Sequence, residues 1–428
     1  MGLALAPAIA ASQAQRVVRI SPPDASSPSE VSVAINPKSP DNVVAVSLQP
    51  TGPTTNFAYI SFDAGRSWES VAGPNPESRT QGDDAVVFDE HGGALWSYIS
   101  FTGLREERPT GASNGIFVNR STDGGRSWSE PVPVIDHHNT VRPFEDKPFL
   151  AAGAAGRVYV AWTRFSTYGS SDPAETSHIF FSLSEDGGRS FAMPFRVSDS
   201  AGDAVDSDGT LEGVVPAVGI DGEVYLVWSG PEGLVFDVST DGGWTFGPDR
   251  VVAPHPGGWD VDVDGLSRAN GMPVTGVDRS DGLNRGSLYV NWVDDRNGDL
   301  DVFVMRSSDK GKSFGEPVRV HDDPVGNGAA QFLTWMAVDA VDGSINVVFY
   351  DRAGLDGTNT GVTLARSTDG GAHFDTFPIS IDPFETTTAS FFGDYIGIDA
   401  VAGRVICAFT HFTGSNRLAL SAASFRFN

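Results

Sequence analysis

This 428-residue chain contains three arginines that are well placed to bind an anion. Each of them follows an apolar segment that ends in an aromatic residue. Arg164 comes shortly after residues 158–162, and Arg296 and Arg352 follow similar segments further along. A guanidinium group can bind a carboxylate through two parallel hydrogen bonds. We therefore predict that these arginines, together with Arg142, converge as a substrate-binding group for an acidic ligand. The alternative is that Arg296 and Arg352 each pair with the aspartate directly before them in the chain and form salt bridges between adjacent repeats.

Carboxyl groups form a second set of reactive candidates. Glu145 and Asp146 are adjacent in the chain, and Asp394 is followed directly by Tyr395. Two carboxyl groups on either side of a glycosidic bond can act as acid and as base or nucleophile. We predict that these four residues are catalytic, with Tyr395 as a nucleophile. The alternatives are that Asp146 pairs with Lys147 and that Tyr395 is an aromatic residue lining a rim.

The histidines allow a different reaction. A histidine beside a tyrosine and an arginine would suit a lyase, which removes the proton next to a uronate carboxylate. The alternative is that they only form hydrogen bonds. The spacing of histidine and cysteine does not match a zinc site, so no cofactor is required by the chemistry. The candidates are His137, His138, His255, His321 and His411.

One acidic stretch resembles the opening of a calcium-binding loop. Asp260, Asp262 and Asp264 alternate with valines and are followed by Gly265, whereas the position of the closing glutamate holds Gly271. Alternating carboxylates before a glycine are typical of such loops. We therefore predict a structural calcium ion here, with a solvated acidic loop as the alternative.

The elements that must position these residues repeat along the chain. An eight-residue signature with the form Ser-x-Asp-x-Gly-x-Ser/Thr-Trp/Phe, in which one copy has histidine at the seventh position, recurs six times at intervals of 55 to 68 residues. A regular interval of this size indicates one supersecondary unit that is repeated. Asp and Gly in the signature suit a tight turn, and its aromatic residue suits packing between sheets. The copies are residues 61–68, 121–128, 184–191, 239–246, 307–314 and 367–374.

Each repeat contains four short apolar segments separated by turn residues, which is the pattern of a β-propeller blade. After the sixth signature the chain offers only three more strands, and residues 16–23 resemble the outer strand that is missing. We therefore predict an all-β, seven-bladed propeller whose ring is closed by the N-terminal strand joining the last blade. Residues 16–428 form one domain, because a blade cannot bury its faces alone. Residues 1–15 are predicted to be the remnant of a signal peptide.

The signature resembles the Asp box, or bacterial neuraminidase repeat, of the sialidase superfamily. The resemblance covers residues 16–428 and implies a propeller that uses three arginines, an aspartate acid/base and a tyrosine–glutamate pair. Arg296, Arg352 and Tyr395 occur in the family's order along the chain, and Glu212 is available as the partner of the tyrosine. The family's first arginine motif is absent and is replaced by residues 29–37. Related propellers include polysaccharide lyases and proteins that only bind.

Composition restricts the partners and the compartment. The formal net charge of −26 disfavours nucleic acid and anionic membranes as ligands. No apolar stretch is long enough to span a membrane. The apolar start of the chain predicts a secreted or periplasmic protein, which we expect to be a monomer with a glycan as its ligand.

These observations together predict an exported glycan hydrolase of sialidase-like type. It would cleave a bond next to an acidic sugar held by arginines at the mouth of the propeller channel, on the face opposite the signatures. Two alternatives stay open: a lyase that acts on uronate-containing glycans, and a non-catalytic propeller that binds carbohydrate or protein.

Overall fold

The repeat seen in the sequence is a four-stranded antiparallel sheet. The computed structural model describes residues 13–50, 54–103, 111–414 and 416–427, and in them it contains seven such sheets, one of which has an additional short strand. Their innermost strands contact one another in a closed ring and border a central channel. The predicted seven-bladed, all-β propeller is confirmed.

The first three blades follow β1 in the chain. The first strand of the chain, β1 (Gln13–Arg19), belongs to blade seven. Blade one contains β2 (Ser29–Ile35), β3 (Val43–Gln49), β4 (Thr55–Ser61) and β5 (Glu69–Ala72), and blade two contains β6 (Thr80–Phe88), β7 (Ala94–Thr102), β8 (Ser113–Ser121) and β9 (Val132–His138). Blade three contains β10 (Phe144–Ala152), β11 (Val158–Phe165), β12 (Ser177–Ser184) and β13 (Phe195–Arg196). Two short 3₁₀ turns, Pro76–Ser78 and Ala154–Gly156, lie in this part.

The remaining blades have the same order, with the innermost strand first. They are β14 (Ala217–Val218), β15 (Val224–Gly230), β16 (Gly233–Ser239) and β17 (Arg250–Ala253) in blade four, β18 (Val274–Val277), β19 (Leu288–Asp294), β20 (Asp301–Ser307) and β21 (Val318–Arg319) in blade five, β22 (Gln331–Val338), β23 (Ile345–Asp351), β24 (Asn359–Ser367), β25 (Asp375–Pro378) and β26 (Phe384–Glu385) in blade six, and β27 (Gly397–Val401), β28 (Arg404–Phe412) and β29 (Leu418–Arg426) in blade seven.

Blade seven takes its outer strand from the N-terminus, since β1 pairs antiparallel with β29. Val17 lies opposite Ala423, Val18 lies opposite Ala422, and the Ile20 N–H donates to the Leu420 carbonyl at 2.9 Å. The sequence predicts that residues 17–20 pair beside residues 418–420. The observed contact lies further along, because β29 continues to Arg426. Residues 1–12 of the predicted signal remnant lie outside the described part of the chain, and Gln13 to Gln15 belong to β1.

Each signature folds into a compact loop that directly follows the third strand of a blade. In the first copy the Ser61 hydroxyl accepts the Gly65 N–H at 2.9 Å, and Asp63 accepts both the N–H and the hydroxyl of Ser67 at 2.8 and 2.7 Å. The same bonds recur in the other five copies, where His373 replaces the final hydroxyl in the sixth. In each blade the third strand runs in the same direction as the first strand, so the loop that follows it lies at the end of the blade opposite the start of the first strand. The six loops therefore lie on one common face.

Two further features concern cysteine and membranes. Cys407 on β28 is buried and not bonded to another cysteine. No helix within the described ranges has the length and hydropathy needed to cross a membrane.

Candidate functional site

Backbone irregularities at the start of four innermost strands present side chains to the channel. The registers of β2, β6, β10 and β22 each shift by a bulge near their first residues. One residue in each bulge has a positive φ: Glu30 at 57°, Asp83 at 52°, Lys147 at 48° and Leu333 at 46°. Bulges re-aim side chains, and left-handed backbone at residues other than glycine is typical of functional sites. Three of these four equivalent positions therefore carry charged side chains towards one place.

These side chains meet at a pocket of about 490 Å³, which we call the channel-mouth pocket. It is bordered by the starts of β2, β6 and β10 and by the segments before β18 and β27. Its charged lining residues are Glu30, Asp83, Asp146, Lys147, Arg268 and Asp394. Its apolar lining residues are Leu48, Pro50, Ile99, Phe101, Phe144, Tyr168 and Phe391. A mostly apolar concave site with a few convergent charged groups is the usual form of a ligand site.

Lys147 joins carboxyl groups from three blades. Its Nζ lies 3.3 Å from Asp146, 3.0 Å from Glu212 and 3.4 Å from Asp394. Its side chain is only 3% exposed. Burial and the nearby Arg268 charge lower the pKa of Lys147, but the three carboxylates outweigh them and raise it. The ammonium group is therefore a fixed positive charge at the base of the pocket.

Arg268 is the second cation of the pocket, and it too is paired with carboxylates. Its guanidinium bonds Asp206 at 3.0 Å and makes a short contact with Asp394 Oδ2. The Tyr168 hydroxyl donates to the same Asp206 at 2.7 Å. These bonds tie the segment before β18 to blade seven across the mouth of the channel.

Two pocket carboxyl groups have raised pKa values. Burial, followed by the charge of Asp394, raises the pKa of Glu30 to about 8. Burial and the charge of Asp146, to which Asp83 is also hydrogen-bonded, raise the pKa of Asp83 well above its usual value. The pKa of Glu212, which lies behind Lys147, is raised as well, chiefly by burial. Glu30 is therefore a proton donor in the pocket at neutral pH.

Asp394 differs from Glu30 in its surroundings. Its Oδ2 is bound by both cations of the pocket, Lys147 and Arg268. Its Oδ1 is buried and has no hydrogen-bond partner among the residues that the structure describes. An unpaired acceptor in a buried wall is costly and requires a partner that the described residues do not supply. Glu30 and Asp394 thus form a pair with a proton donor on one side and a free acceptor on the other.

The predicted catalytic residues are divided by the structure. Asp146 and Asp394 line the pocket. Glu145 points elsewhere and is fully buried, where it binds Arg164 at 2.7 Å, the Trp162 indole N–H at 2.5 Å and His137 at 2.8 Å. The placement of Glu145 in the reactive group is therefore corrected: alternating residues of a strand face opposite sides, and Glu145 faces away from Asp146 into its own blade.

Tyr395 is also placed differently from the prediction of a nucleophile. Its side chain is buried and packs on Phe149 and Trp335, and its hydroxyl donates to the Asp84 carbonyl at 3.1 Å. Burial raises its pKa. A buried phenol already donating to the backbone suits a packing role between blades.

The predicted arginine group is not assembled. Arg164 lies on Phe180 and binds Glu145, while Arg296 lies on Trp292 and Phe303 and binds Asp294. These contacts are intra-blade, and the partner of Arg296 is Asp294 rather than the predicted Asp295.

The other two arginines also lack the predicted contact with a shared site. Arg352 donates to the Asp264 carbonyl and the Thr386 hydroxyl at 2.7 and 2.8 Å. Arg142 is exposed in the segment before β10. The cations that do line the channel-mouth pocket are Lys147 and Arg268, which sequence reasoning did not select as site residues.

Asp260, Asp262 and Asp264 are exposed and border a separate cavity of about 460 Å³. Arg352 borders the same cavity and brings a positive charge to it. Among the described residues, the side chains that converge closely enough for a metal are Asp301, His321 and Asp323, and Arg319 already binds both of those carboxylates. Calcium at Asp260 to Asp264 stays a prediction.

Comparison with known proteins supports the fold. No protein-family profile and no curated protein sequence matches the chain. The α-L-arabinanase of Penicillium chrysogenum is similar in structure, with 12% identity, coverage of 96% of this chain and 98% of that one, and a TM-score of 0.52.

Two other solved structures are similar over nearly their whole length. The α-L-arabinofuranosidase of Fusarium graminearum gives 10% identity, coverage of 97% and 98%, and a TM-score of 0.53. An ulvan lyase of polysaccharide lyase family 25 has 13% sequence identity, coverage of 95% for both chains, and a TM-score of 0.52. The chain shares their propeller fold. The fold implied by the resemblance to the sialidase superfamily is thereby confirmed.

Proposed function

We propose that this protein is a carbohydrate-active enzyme, a glycoside hydrolase whose reaction takes place in the channel-mouth pocket. The observation that carries the proposal is the pairing of Glu30, whose pKa is raised to about 8, with Asp394, which has one carboxylate oxygen held by two cations and the other unpaired. Two carboxyl groups with pKa values pushed apart by their surroundings are a recurring sign of acid–base assignment.

The roles follow from these surroundings. Glu30 is the proton donor, which gives its proton to the oxygen of the leaving group as the glycosidic bond breaks. Asp394 is the carboxylate that attacks the sugar carbon or activates a water molecule to do so. Lys147 and Arg268 hold Asp394 in place, and neither has a further role in proton transfer. Asp146 and Asp83 border the same pocket and bind sugar hydroxyls.

The similar solved structures give this proposal support at the level of fold. Their names describe an arabinanase, an arabinofuranosidase and an ulvan lyase, all of which act on carbohydrate. A lyase is less well supported for this chain, because a uronate carboxylate needs a free cation, and Lys147 and Arg268 are each bound by at least two carboxylates.

The test is turnover of a panel of aryl glycosides and polysaccharides, followed by product analysis. Hydrolysis releases reducing sugar, whereas a lyase gives unsaturated products that absorb in the ultraviolet. Glu30→Gln and Asp394→Asn should each lower kcat on natural glycans by about 10²–10⁴-fold. Glu232→Gln, in the exposed β15–β16 turn, is the matched control and should keep full activity. Sugar binding without turnover would favour the non-catalytic alternative.

Export is part of the proposal and is supported by the apolar character of residues 1–12. Fractionation of cells that express the full chain tests it, and protein found only in the cytoplasm would contradict it.

A further inference from the structure

We propose that the channel-mouth pocket accepts an uncharged sugar ring, with Phe391 as its stacking surface, and that it excludes sugars that carry a carboxylate. This inference rests on the proposed carbohydrate site and opposes the acidic substrate that the sequence suggests. Its two parts come from the charges at the base of the pocket and from the position of one exposed aromatic residue.

Both positive charges at the base of the pocket are already paired with carboxylates. Four carboxyl groups, Glu30, Asp83, Asp146 and Asp394, line it beside two cations. Each cation already contacts at least two carboxylates, counting Glu212 and Asp206 behind the lining. A carboxylate on a ligand would therefore be buried beside the carboxylates of Asp146 and Asp394, while both cations are already paired, which is unfavourable.

The same base suits hydroxyl groups. Carboxylates accept hydrogen bonds from hydroxyls, and the protonated carboxyl of Glu30 can also donate one. Ser29, Gln81 and Thr80 add neutral polar groups to the lining. A ring that carries several hydroxyls and no charge can pair with this mixture of donors and acceptors without a desolvated, unpaired charge.

The walls provide apolar area for the faces of a ring. Phe101, Phe144 and Tyr168 form a continuous aromatic surface, with ring centroids 5.6 and 5.3 Å apart. Phe391 lines another part of the pocket and is 44% exposed. A rigid aromatic face with the C–H groups of a sugar against it buries apolar area on both sides.

Phe391 is held in place by its neighbour in the chain. Phe392 is buried and packs on Tyr350 and Phe412, with ring centroids at 4.9 and 5.6 Å. Asp394, two residues further on, is fixed by Arg268 and Lys147. The exposed ring therefore lies on a short segment anchored on its C-terminal side, close to the residue proposed to react with the sugar.

The test measures binding by the full-length Glu30→Gln variant, so that bound ligand is not consumed. The probes are matched pairs of immobilised glycosides, a neutral hexose or pentose against its uronic acid counterpart, together with sialosides. We expect retention of at least one neutral sugar and at least tenfold weaker binding of its uronic acid. Equal or tighter binding of the acidic member, or retention of no sugar, would overturn the inference.

A second variant isolates the stacking surface. Phe391→Ala should weaken binding of the retained neutral sugar by tenfold or more. Phe62→Ala is the matched control, because Phe62 is 40% exposed in a signature loop on the opposite face. Equal affinity of the two variants, at equal Tm, would remove Phe391 from the site. Turnover by the unmodified protein is scored separately, so binding without hydrolysis would sink the hydrolase proposal and leave this inference standing.

Discussion

At the scale of single residues, the strained position of Glu30 explains how its carboxyl group comes to be a proton donor. Its positive φ lies in a bulge of the innermost strand of blade one, and the bulge directs the side chain into a site where it is 2% exposed. Burial disfavours the charged form, and Asp394 adds a like charge. Backbone strain, burial and reactivity therefore have one common origin at this residue.

The first prediction concerns the pH dependence of hydrolysis. Because the pKa of Glu30 is about 8, the proton donor is intact at neutral pH and is lost as pH rises through about 8. The kcat/KM should therefore fall on the alkaline side near that pH. In stability, the folded state favours the protonated group, so the contribution of Glu30 decreases as pH rises from about 4.5 to 8. A flat profile of kcat/KM up to pH 10 would contradict the assignment.

The second prediction concerns Lys147. Lys147→Met leaves Asp146, Glu212 and Asp394 without their shared cation in a buried site. Removal of one partner from a buried ion pair costs about 3–5 kcal/mol. We expect a loss of this size in the free energy of unfolding by urea. Lys310→Met is the control: its half-exposed ammonium contacts exposed Asp221 and buried Glu223, and its loss should cost less than that of the buried Lys147. Similar losses in both variants would show that Lys147 is not essential.

At the scale of elements, the signature loops and the bulges have different roles, since the loops stabilise the blades and the bulges position the site residues. The loops bind their own backbone through serine and aspartate side chains, on the face away from the pocket. The bulges lie at the other end of the blade and carry the charged residues of the site. The regular repeat therefore stabilises the ring, and the departures from regularity make the site.

The third prediction separates these roles. Asp186→Ala removes acceptors for the Ser190 hydroxyl and backbone N–H at 2.7 and 2.9 Å. The bonds are near solvent, so we expect a loss of about 1 kcal/mol in the free energy of unfolding, with kcat unchanged. Glu185→Ala is the neighbouring control and should be neutral. A large loss of activity at unchanged stability would place the signature loops in the catalytic site.

The sequence predicts the blades and the side of the site far better than the site itself. The signature interval, with turn residues between apolar strands, is a local pattern, so the seven-bladed ring can be read from it. The four bulges have no single motif, since their residues are Glu30, Asp83, Lys147 and Leu333. Their equivalence is visible only when the inner strands of different blades are aligned.

The arginine prediction failed for a related reason. A guanidinium after a strand can turn inward to a ligand or back onto its own blade, and the sequence does not choose between them. The structure shows the second arrangement in blades three and five, where a buried acid holds both the indole N–H of a tryptophan and the arginine. Lys147 and Arg268 approach Asp394 only because the ring closes. No local spacing in the sequence therefore predicts that these two cations belong to the site.

At the scale of the whole molecule, ring closure determines whether the site exists. Asp394 precedes the innermost strand of the last blade, whereas Glu30 lies near the start of the innermost strand of the first, and the two come together where β27 contacts β2. Residues that bind at this junction are separated by nearly the whole chain. Loss of closure should therefore affect stability and activity together.

The last prediction tests closure by truncation. Deletion of residues 1–22 removes β1, so β29 becomes an open sheet edge. It also removes Ile20, which is buried against Val31 and Leu420, and burial of a side chain of this size contributes about 1.5–3 kcal/mol. We expect a clear fall in Tm and loss of turnover, because blades seven and one carry Asp394 and Glu30. Deletion of residues 1–12 alone keeps β1 and is the matched control, with Tm and turnover unchanged. If both truncations keep the Tm of the full chain, pairing of β1 with β29 does not hold the ring together, and the link between closure and the site must be abandoned.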